Sequence, residues 1–417
     1  MPKVQKFMKK RIVVIAEYFP PRLGADRRIF EFMKRLSKKY YIHFVTLPPS
    51  YTLFIRKIDI HDKEKHEVLY EGIRGHRIGL PKPILRFWTK SFVIAFVVTE
   101  IYLYLQILKK MARIKPDIVI INDTSAYTGL LGFVCSKIMN KKLIVDYNDL
   151  MGLYTIELIG KKMSRPLKMI LGRILVLVED TLVRYGWKVT TITFFIKNYA
   201  LTRNIRKDII VIPNGVDTGL FDPAKVDGRE IRFKYGVQNK EKLCVYAGRV
   251  DEVAGAEIIL ETAKLLKNEK KIKFMMVGEG NPGMLNKLSK CNNVILTGRV
   301  SKESIPKYLA AADCVFVPFP DNVASHGISP LKLFEALAME KPVIASAISG
   351  IKEAVGQDPN VILVSNDPKH WASAITKIIA NNGSSVQQRW NSREFICKKY
   401  DFDYLATLFD KVIEGGF

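Results

Sequence analysis

The stretch Ser329-Pro-Leu-Lys-Leu-Phe-Glu335-Ala-Leu-Ala-Met-Glu-Lys-Pro342 carries the most information in this chain. Serine is favoured as the residue that caps a helix N-terminus, and proline is tolerated at the first helical position because its missing N–H would be unpaired anyway. The stretch therefore predicts a helix that begins at Ser329, just after a short apolar run at 314–317 that reads as a buried strand. In a parallel sheet this puts the helix N-terminus at the carboxyl edge, where ligands bind, and its free backbone N–H groups and dipole favour a phosphate there. Lys332 and Glu335 are three residues apart and share a helix face, so a cation one turn in can reach the same phosphate and a carboxylate further in can take ribose hydroxyls. Taken alone, the stretch is equally well an ordinary amphipathic helix with an ion pair along one face.

Two other loops point to the same edge. The apolar run 243–247 leads into Gly248-Arg249, and the run 274–277 leads into Gly278-Glu-Gly280. Glycine at such a turn lets a ligand approach the backbone closely, and a guanidinium can fork two hydrogen bonds onto a diphosphate.

Short apolar runs alternate with longer helical stretches along the whole sequence, the pattern of parallel α/β sheets. The first series of expected strands is at 12–16, 42–46, 118–121, 143–146, 189–192 and 209–212; the second is at 243–247, 274–277, 294–296, 314–317, 343–345 and 361–364. Each is apolar on both faces, as buried parallel strands are. The expected architecture is two doubly wound domains, one over 1–205, on which residues 389–417 pack back, and one over 206–388. The join falls within 205–223, where Pro213-Asn-Gly-Val-Asp217 interrupts the pattern. Tyr400, Phe402, Leu405, Leu408 and Phe409 are the expected buried positions of a terminal helix.

With 417 residues and 48% hydrophobic content the chain can bury more than one core. Its five cysteines are scattered, with no C-x-x-C pair, which argues against a disulfide framework and a zinc site, and no metal is expected. The net charge of +25 is unevenly distributed: residues 1–200 hold 36 Lys+Arg against 16 Asp+Glu, and residues 201–417 hold 30 against 25. A basic half implies a polyanionic surface facing it. The run 88–108 approaches membrane-spanning length, but Lys90, Glu100 and Gln106 fall within it; 163–183 is similar, interrupted by Lys168 and Arg173. Such charges make a true span costly, so both stretches read as helices that are buried or lie at a lipid surface. The basic start leads only to a short apolar run, not the longer one of a secretory signal. The expected location is the cytoplasm, at the cytoplasmic face of the membrane. No nucleic-acid motif or basic-aromatic pattern is visible, and no nucleic-acid partner is expected.

At this point the sequence resembles glycosyltransferase family 4, whose members have the GT-B fold of two facing Rossmann-like domains with a C-terminal helix crossing back to the first. The resemblance rests on Tyr18-Phe-Pro-Pro21 with Gly24, Pro213-Asn-Gly-Val-Asp217 with Phe221, Gly248-Arg249, Val277-Gly-Glu-Gly280, Thr297-Gly-Arg-Val300, Tyr308-Leu-Ala-Ala-Ala-Asp313 leading to Pro318, residues 329–338 and Lys341-Pro-Val-Ile344. It implies a retaining, metal-independent enzyme with no cofactor, whose donor is a nucleotide sugar such as a UDP or GDP sugar. Arg249 would neutralise the donor diphosphate, assisted by Gly248 and Gly278. Ser329, Pro330 and Leu331 would line it with backbone groups, Glu335 would hold the ribose, and main-chain groups at Arg299 and Val300 would read the base. Gly24 would let the first domain's backbone approach the phosphate or sugar.

Four positions depart from the family pattern: Gly327 where a Glu is frequent, Ala254 where a Lys is common, Gly24-Ala25 where two glycines are frequent, and Asn148 where a His is frequent. The missing cation at Ala254 leaves Lys332 to act as its replacement. Asn148 and Asp149, in Asp146-Tyr-Asn-Asp149, are the acceptor-side candidates, Asp149 for chemistry. The expected reaction is transfer of a hexosyl or N-acetylhexosaminyl group to a membrane-associated, lipid-linked glycan, with an anionic membrane against the basic first domain. A sugar-nucleotide epimerase of the same fold and a catalytically weakened lipid-binding scaffold are the alternatives. The one Asp-x-Asp, Asp401-Phe-Asp403, reads as surface charge.

Overall fold

A computed structural model describes residues 9–21, 24–47, 67–81, 83–84, 92–159, 164–380 and 391–416. The chain divides into two compact units, Met1–Ile212 with Ala406–Phe417, and Pro213–Leu405.

The first unit is built on eight strands: β1 (Arg11–Ala16), β2 (Tyr41–Thr46), β3 (Glu67–Tyr70), β4 (Ile73–Arg77), β5 (Ile118–Ile121), β6 (Lys142–Tyr147), β7 (Lys188–Thr191) and β8 (Ile209–Val211). Their order across the sheet is β3-β4-β2-β1-β5-β6-β7-β8, parallel except for the β3–β4 pair. Residues 12–16 of β1 are fully buried, as a central strand covered on both faces requires. Strands β3 and β4 lie outside the expected set of six. They form an edge hairpin turned by Glu71 and Gly72; β3 is only four residues long and leaves Leu69 exposed, and β4 carries Arg74, Gly75, His76 and Arg77, so neither reads as a buried apolar run.

The second unit has six strands, all parallel: β9 (Lys242–Ala247), β10 (Ile272–Val277), β11 (Val294–Gly298), β12 (Cys314–Val317), β13 (Val343–Ser346) and β14 (Val361–Val364). Their order is β11-β10-β9-β12-β13-β14. The chain reverses direction across the sheet between β9 and β12, which makes that point the crevice where an open α/β sheet binds ligands. In the first unit the corresponding point lies between β1 and β5.

The boundary falls at Ile212–Pro213, within the expected 205–223 and seven residues beyond the expected domain end at 205, because β8 completes the first sheet by pairing with β7. The C-terminal segment also divides differently from expectation. Helix Ser392–Lys399 packs on helix Leu331–Ala338 of the second unit, with the Tyr400 ring stacked on Phe334 at 4.4 Å. Only the end of helix Phe402–Glu414 joins the first unit, where Phe409 stacks on Phe32 and Tyr40 donates to Asp410 at 2.6 Å. Tyr400, Phe402, Leu405 and Phe409 are buried as expected, and Leu408 is half-buried. Asp401 is not surface charge: its carboxylate takes the backbone N–H and hydroxyl of Thr218, and Val216 bonds to Tyr400 and Phe402. This straps the Pro213–Asp217 loop to the C-terminal helices.

Of the stretch 88–108, residues 88–91 lie outside the described residues, and the rest falls in helix Phe92–Ile114. That helix buries Leu103, Ile107 and Met111 against the first sheet and leaves Val97, Ile101 and Leu105 exposed. Residue 163 lies outside the described residues too, and the remainder of 163–183 falls in helix Arg165–Tyr185. Among the described residues no helix is long and apolar enough to cross a membrane.

Candidate active site

The crevice of the second sheet gathers the expected donor residues. Strand β9 ends at Ala247 and delivers Gly248-Arg249. The loop after β12 delivers Ser329 and the N-terminus of helix Leu331–Ala338. That helix starts two residues later than the sequence suggests, and Ser329 is not its cap. Pro330 occupies the cap position and offers neither a side-chain hydrogen bond nor an N–H. The Ser329 hydroxyl instead accepts the Asn214 N–H at 3.2 Å, and its carbonyl accepts the Asn214 side-chain amide at 2.6 Å. The Pro213–Asp217 loop is thus tied to the loop that precedes the helix, whose first turn carries no side-chain cap; there the Leu333 N–H bonds the Pro330 carbonyl at 3.1 Å, and the N–H groups of Leu331 and Lys332 head the helix where an anion is favoured.

Arg249 is more than half exposed, and its guanidinium pairs with Asp251 at 2.5 Å. Asp251 also accepts the Ala254 N–H at 2.8 Å, and the Ala254 side chain packs against a core of the second unit. Position 254 therefore supplies packing where a lysine would supply charge. Lys332 is the nearby cation. Its ammonium lies 4.4 Å from the ring centroids of both Tyr246 and Phe319 and donates to the Tyr246 hydroxyl at 3.3 Å. The Tyr246 hydroxyl in turn donates to the Arg249 carbonyl at 2.5 Å. Burial pushes the Lys332 pKa down to about 7, against the opposing pull of Asp251 and Glu335. Glu335 lies one turn on from Lys332, half-buried on the same helix.

The glycines of the two loops serve each other more than a ligand. A Cβ on Gly278 would stand 2.0 Å from the Gly248 carbonyl oxygen, and one on Gly280 would stand 2.0 Å from that of Val250. The loops are stitched by Gly248 N–H to Val277 O, Val250 N–H to Glu279 O and Gly278 N–H to Gly298 O, at 2.9–3.0 Å. Close approach is needed, but of backbone to backbone, and it fixes where Arg249 leaves the sheet. Arg299 is exposed and pairs with Glu279 at 3.5 Å, and Val300 packs against the core.

One braced loop went unread in the sequence. His326 lies between Asp321, 2.7 Å from Nε2, and the Ser349 hydroxyl, 2.7 Å from Nδ1; the Ser349 N–H also reaches Nδ1 at 3.3 Å. Ser346 clamps both backbone groups of Phe319 at 2.9 Å. These contacts hold residues 319–329, and only the position of His326 three residues before Ser329 hinted at them.

At the carboxyl edge of the first sheet, Gly24 opens helix Gly24–Leu36 after β1. Asn122, just after β5, donates to Asp26 at 3.0 Å, and Asn148, just after β6, donates to the Asn122 carbonyl at 2.7 Å. Asn148 is buried and therefore orders this edge. Asp149 is half-buried beside it. Burial, with the Asp123 and Asp146 carboxylates adding, pushes its pKa up to about 6. Glu179 is pushed up to about 7 by burial and accepts from Tyr147, from Gly152 N–H and from Thr124. Among the described residues no group of three or more His, Cys, Asp or Glu side chains is placed to hold a metal ion.

Comparison with known proteins agrees with this layout. Residues 23–220 match the model of Glycosyltransferase Family 4, and residues 241–381 match that of Glycosyl transferases group 1. An uncharacterized glycosyltransferase of Methanocaldococcus jannaschii is 22% identical over 427 residues, covering 97% of this chain and 98% of that protein. Among solved structures, sucrose-phosphate synthase from Thermosynechococcus elongatus superimposes with a TM-score of 0.73 at 18% identity, over 98% of this chain and 99% of its own. Anabaena HepE in complex with UDP-glucose gives 0.71 at 14% identity, over 97% and 99%. At such identities the solved structures establish the fold, which is GT-B; with the two family models together spanning most of the sequence, the chain belongs to the family 4 glycosyltransferases.

Proposed function

We propose that this glycosyltransferase transfers a hexosyl or N-acetylhexosaminyl group, with retention, from a UDP or GDP sugar to a lipid-linked glycan at the cytoplasmic face of a membrane. The observation that carries the donor half is the convergence of Arg249, Lys332 and the uncapped helix start at Leu331 on the crevice between β9 and β12. Two cations and the positive end of a helix headed by the Leu331 and Lys332 N–H groups suit a diphosphate, and Glu335 is one turn deeper, as a ribose partner would be. HepE, of the same fold, has been solved with UDP-glucose. In this reading the leaving diphosphate is stabilised by protein cations, and no cofactor is required.

A thermal-shift panel with UDP, GDP and ADP tests the donor. A nucleotide that binds only the folded state at a hundredfold excess over its Kd contributes about 2.7 kcal/mol, a rise of several degrees. UDP or GDP should give it, and Arg249→Ala should abolish it. If none of the three shifts the unfolding temperature, the donor reading fails and the scaffold alternative gains. Transfer to acceptor, as against release of an epimerised sugar, separates the epimerase alternative.

The acceptor half rests on Asp149. A carboxylate whose pKa lies near neutrality can take a hydroxyl hydrogen bond or a proton. Asp149→Asn should lower turnover about 10²–10⁴-fold, the range of general acid–base effects, while leaving nucleotide affinity unchanged. Because Asp149 must be ionised to accept, wild-type activity should fall as pH drops through about 6. The variant should lose that limb. An unchanged pH profile would remove Asp149 from the chemistry.

A further inference from the structure

We infer that the first unit docks on an anionic lipid bilayer through the N-terminal half of helix Arg165–Tyr185. This deepens the proposed membrane-associated acceptor and rests on that reading for its role, but the surface is argued from its own residues.

The crossover between β6 and β7 consists of two helices, Met151–Ile159 and Arg165–Tyr185, packed on each other. Only the end of the second reaches the sheet, where Glu179, Leu182 and Val183 are buried; none of residues 164–178 is. On that uncovered half, Leu167, Ile170, Ile174 and Leu177 are 52%, 57%, 51% and 65% exposed. Their spacing of three, four and three places them on one face of the helix, an apolar stripe turned to solvent. A soluble surface rarely carries so many large apolar side chains in one line. The same stretch holds Arg165, Lys168 and Arg173 and no acidic residue before Glu179. An apolar stripe flanked by cations, in a half-chain with 36 Lys+Arg against 16 Asp+Glu, is complementary to a leaflet of anionic headgroups over acyl chains.

A second stripe lies in the same layer of helices. Helix Phe92–Ile114 packs on helix Thr128–Ile138, which packs on helix Arg165–Tyr185. The first of these leaves Val97, Ile101 and Leu105 exposed at a spacing of four, and Lys109, Lys110 and Arg113 follow. Helix Arg165–Tyr185 runs back towards the start of β7, so its N-terminal half lies at the carboxyl edge of the sheet, the edge that carries Asn148 and Asp149. A bilayer held there would present a lipid-borne acceptor to that edge.

The test is flotation of the full chain with vesicles of phosphatidylcholine alone or mixed with phosphatidylglycerol, without donor or acceptor. The wild-type chain should float with the anionic vesicles and be partly released by high salt. The triple variant Ile170→Gln, Ile174→Gln, Leu177→Gln should bind at least ~tenfold more weakly. These side chains are exposed, so its unfolding temperature and UDP or GDP shift should stay as in the wild type. Lys168→Glu with Arg173→Glu should weaken binding to anionic vesicles alone. Wild-type protein that stays with the pellet, a triple variant that floats unchanged, or equal binding to neutral and anionic vesicles would overturn the proposal. So would a wild-type dimer in sedimentation velocity that the triple variant dissociates, because a second copy would then cover the stripe. Nucleotide binding measured on the same samples shows whether the donor reading stands independently of the result.

Discussion

Lys332→Met is expected to slow transfer about 10²–10³-fold, the loss typical of a donor aimed at developing charge, and at the same time to raise the protein's thermal stability. The opposite signs have one cause. The ammonium sits between the Tyr246 and Phe319 rings, with a single hydrogen bond to the Tyr246 hydroxyl, and burial brings its pKa from the ordinary lysine value of 10.5 down to about 7. The folded state thus holds the charge less readily than the unfolded chain does. Below pH 7 both states are protonated and folding bears the whole desolvation cost; between about pH 7 and 10.5 the folded state sheds its proton while the unfolded state keeps it, so stability rises with pH across that window. Methionine fills the space without the cost. Its gain in melting temperature should be largest at pH 7 and below and should fade towards pH 10. A bound diphosphate reverses the balance by favouring the ammonium, so nucleotide binding takes up a proton. Wild-type affinity for the nucleotide should then weaken by up to tenfold per pH unit above about 7. In the methionine variant that slope should vanish along with most of the affinity. Calorimetric titration over pH 6.5–9 on both proteins reads this directly. Equal affinities, or equal slopes, would mean that Lys332 is not the cation that offsets the alanine at 254.

The sequence already contained the parallel strands, because each central strand is a short, mostly apolar run with no competing helical period. It also contained the crevice residues, because glycine, arginine, serine and proline punctuate strand ends in ways few other roles need. What stayed hidden depends on contacts between distant segments. Ser329 satisfies every local rule for a cap, yet Asn214, more than a hundred residues earlier, takes both its hydroxyl and its carbonyl. Gly278 and Gly280 announce close approach, but only the fold tells that the approaching group is the Gly248–Val250 backbone. Asp401 has the composition of surface charge and instead fastens Thr218. The β3–β4 hairpin closes an edge with a four-residue β3 that is nowhere fully buried and a β4 rich in Arg and His, so it lacks the continuous buried apolar run by which the other strands are read.

Asp146→Ala should cost the first unit about 3–5 kcal/mol, the usual consequence of leaving a buried charge without its partner. Arg28 and Asp146 are both fully buried, joined by Nε to Oδ2 at 3.0 Å and Nη2 to Oδ1 at 3.3 Å. The Thr190 hydroxyl donates to the same carboxylate at 2.6 Å, and the guanidinium lies over the Phe32 ring at 4.7 Å. The pair links helix Gly24–Leu36 to β6 and, through Thr190, to β7. Removing the carboxylate takes away the anion that balances the buried guanidinium and accepts two of its hydrogen bonds, whereas replacing both charges, as in Arg28→Met with Asp146→Leu, should recover most of the loss because the two buried charges then leave together. Urea unfolding of the two single variants and the double gives the coupling. The milder Asp146→Asn separates stability from chemistry. Asp146 is one of the carboxylates that raise the Asp149 pKa, so its neutralisation should let Asp149 ionise more easily. The acidic limb of the activity profile should therefore move below pH 6, even as the variant unfolds at lower urea. A limb that stays in place while stability falls would leave Asp146 as a brace for the fold alone, and would place the titration near pH 6 on a group other than Asp149, Glu179 being the next to examine.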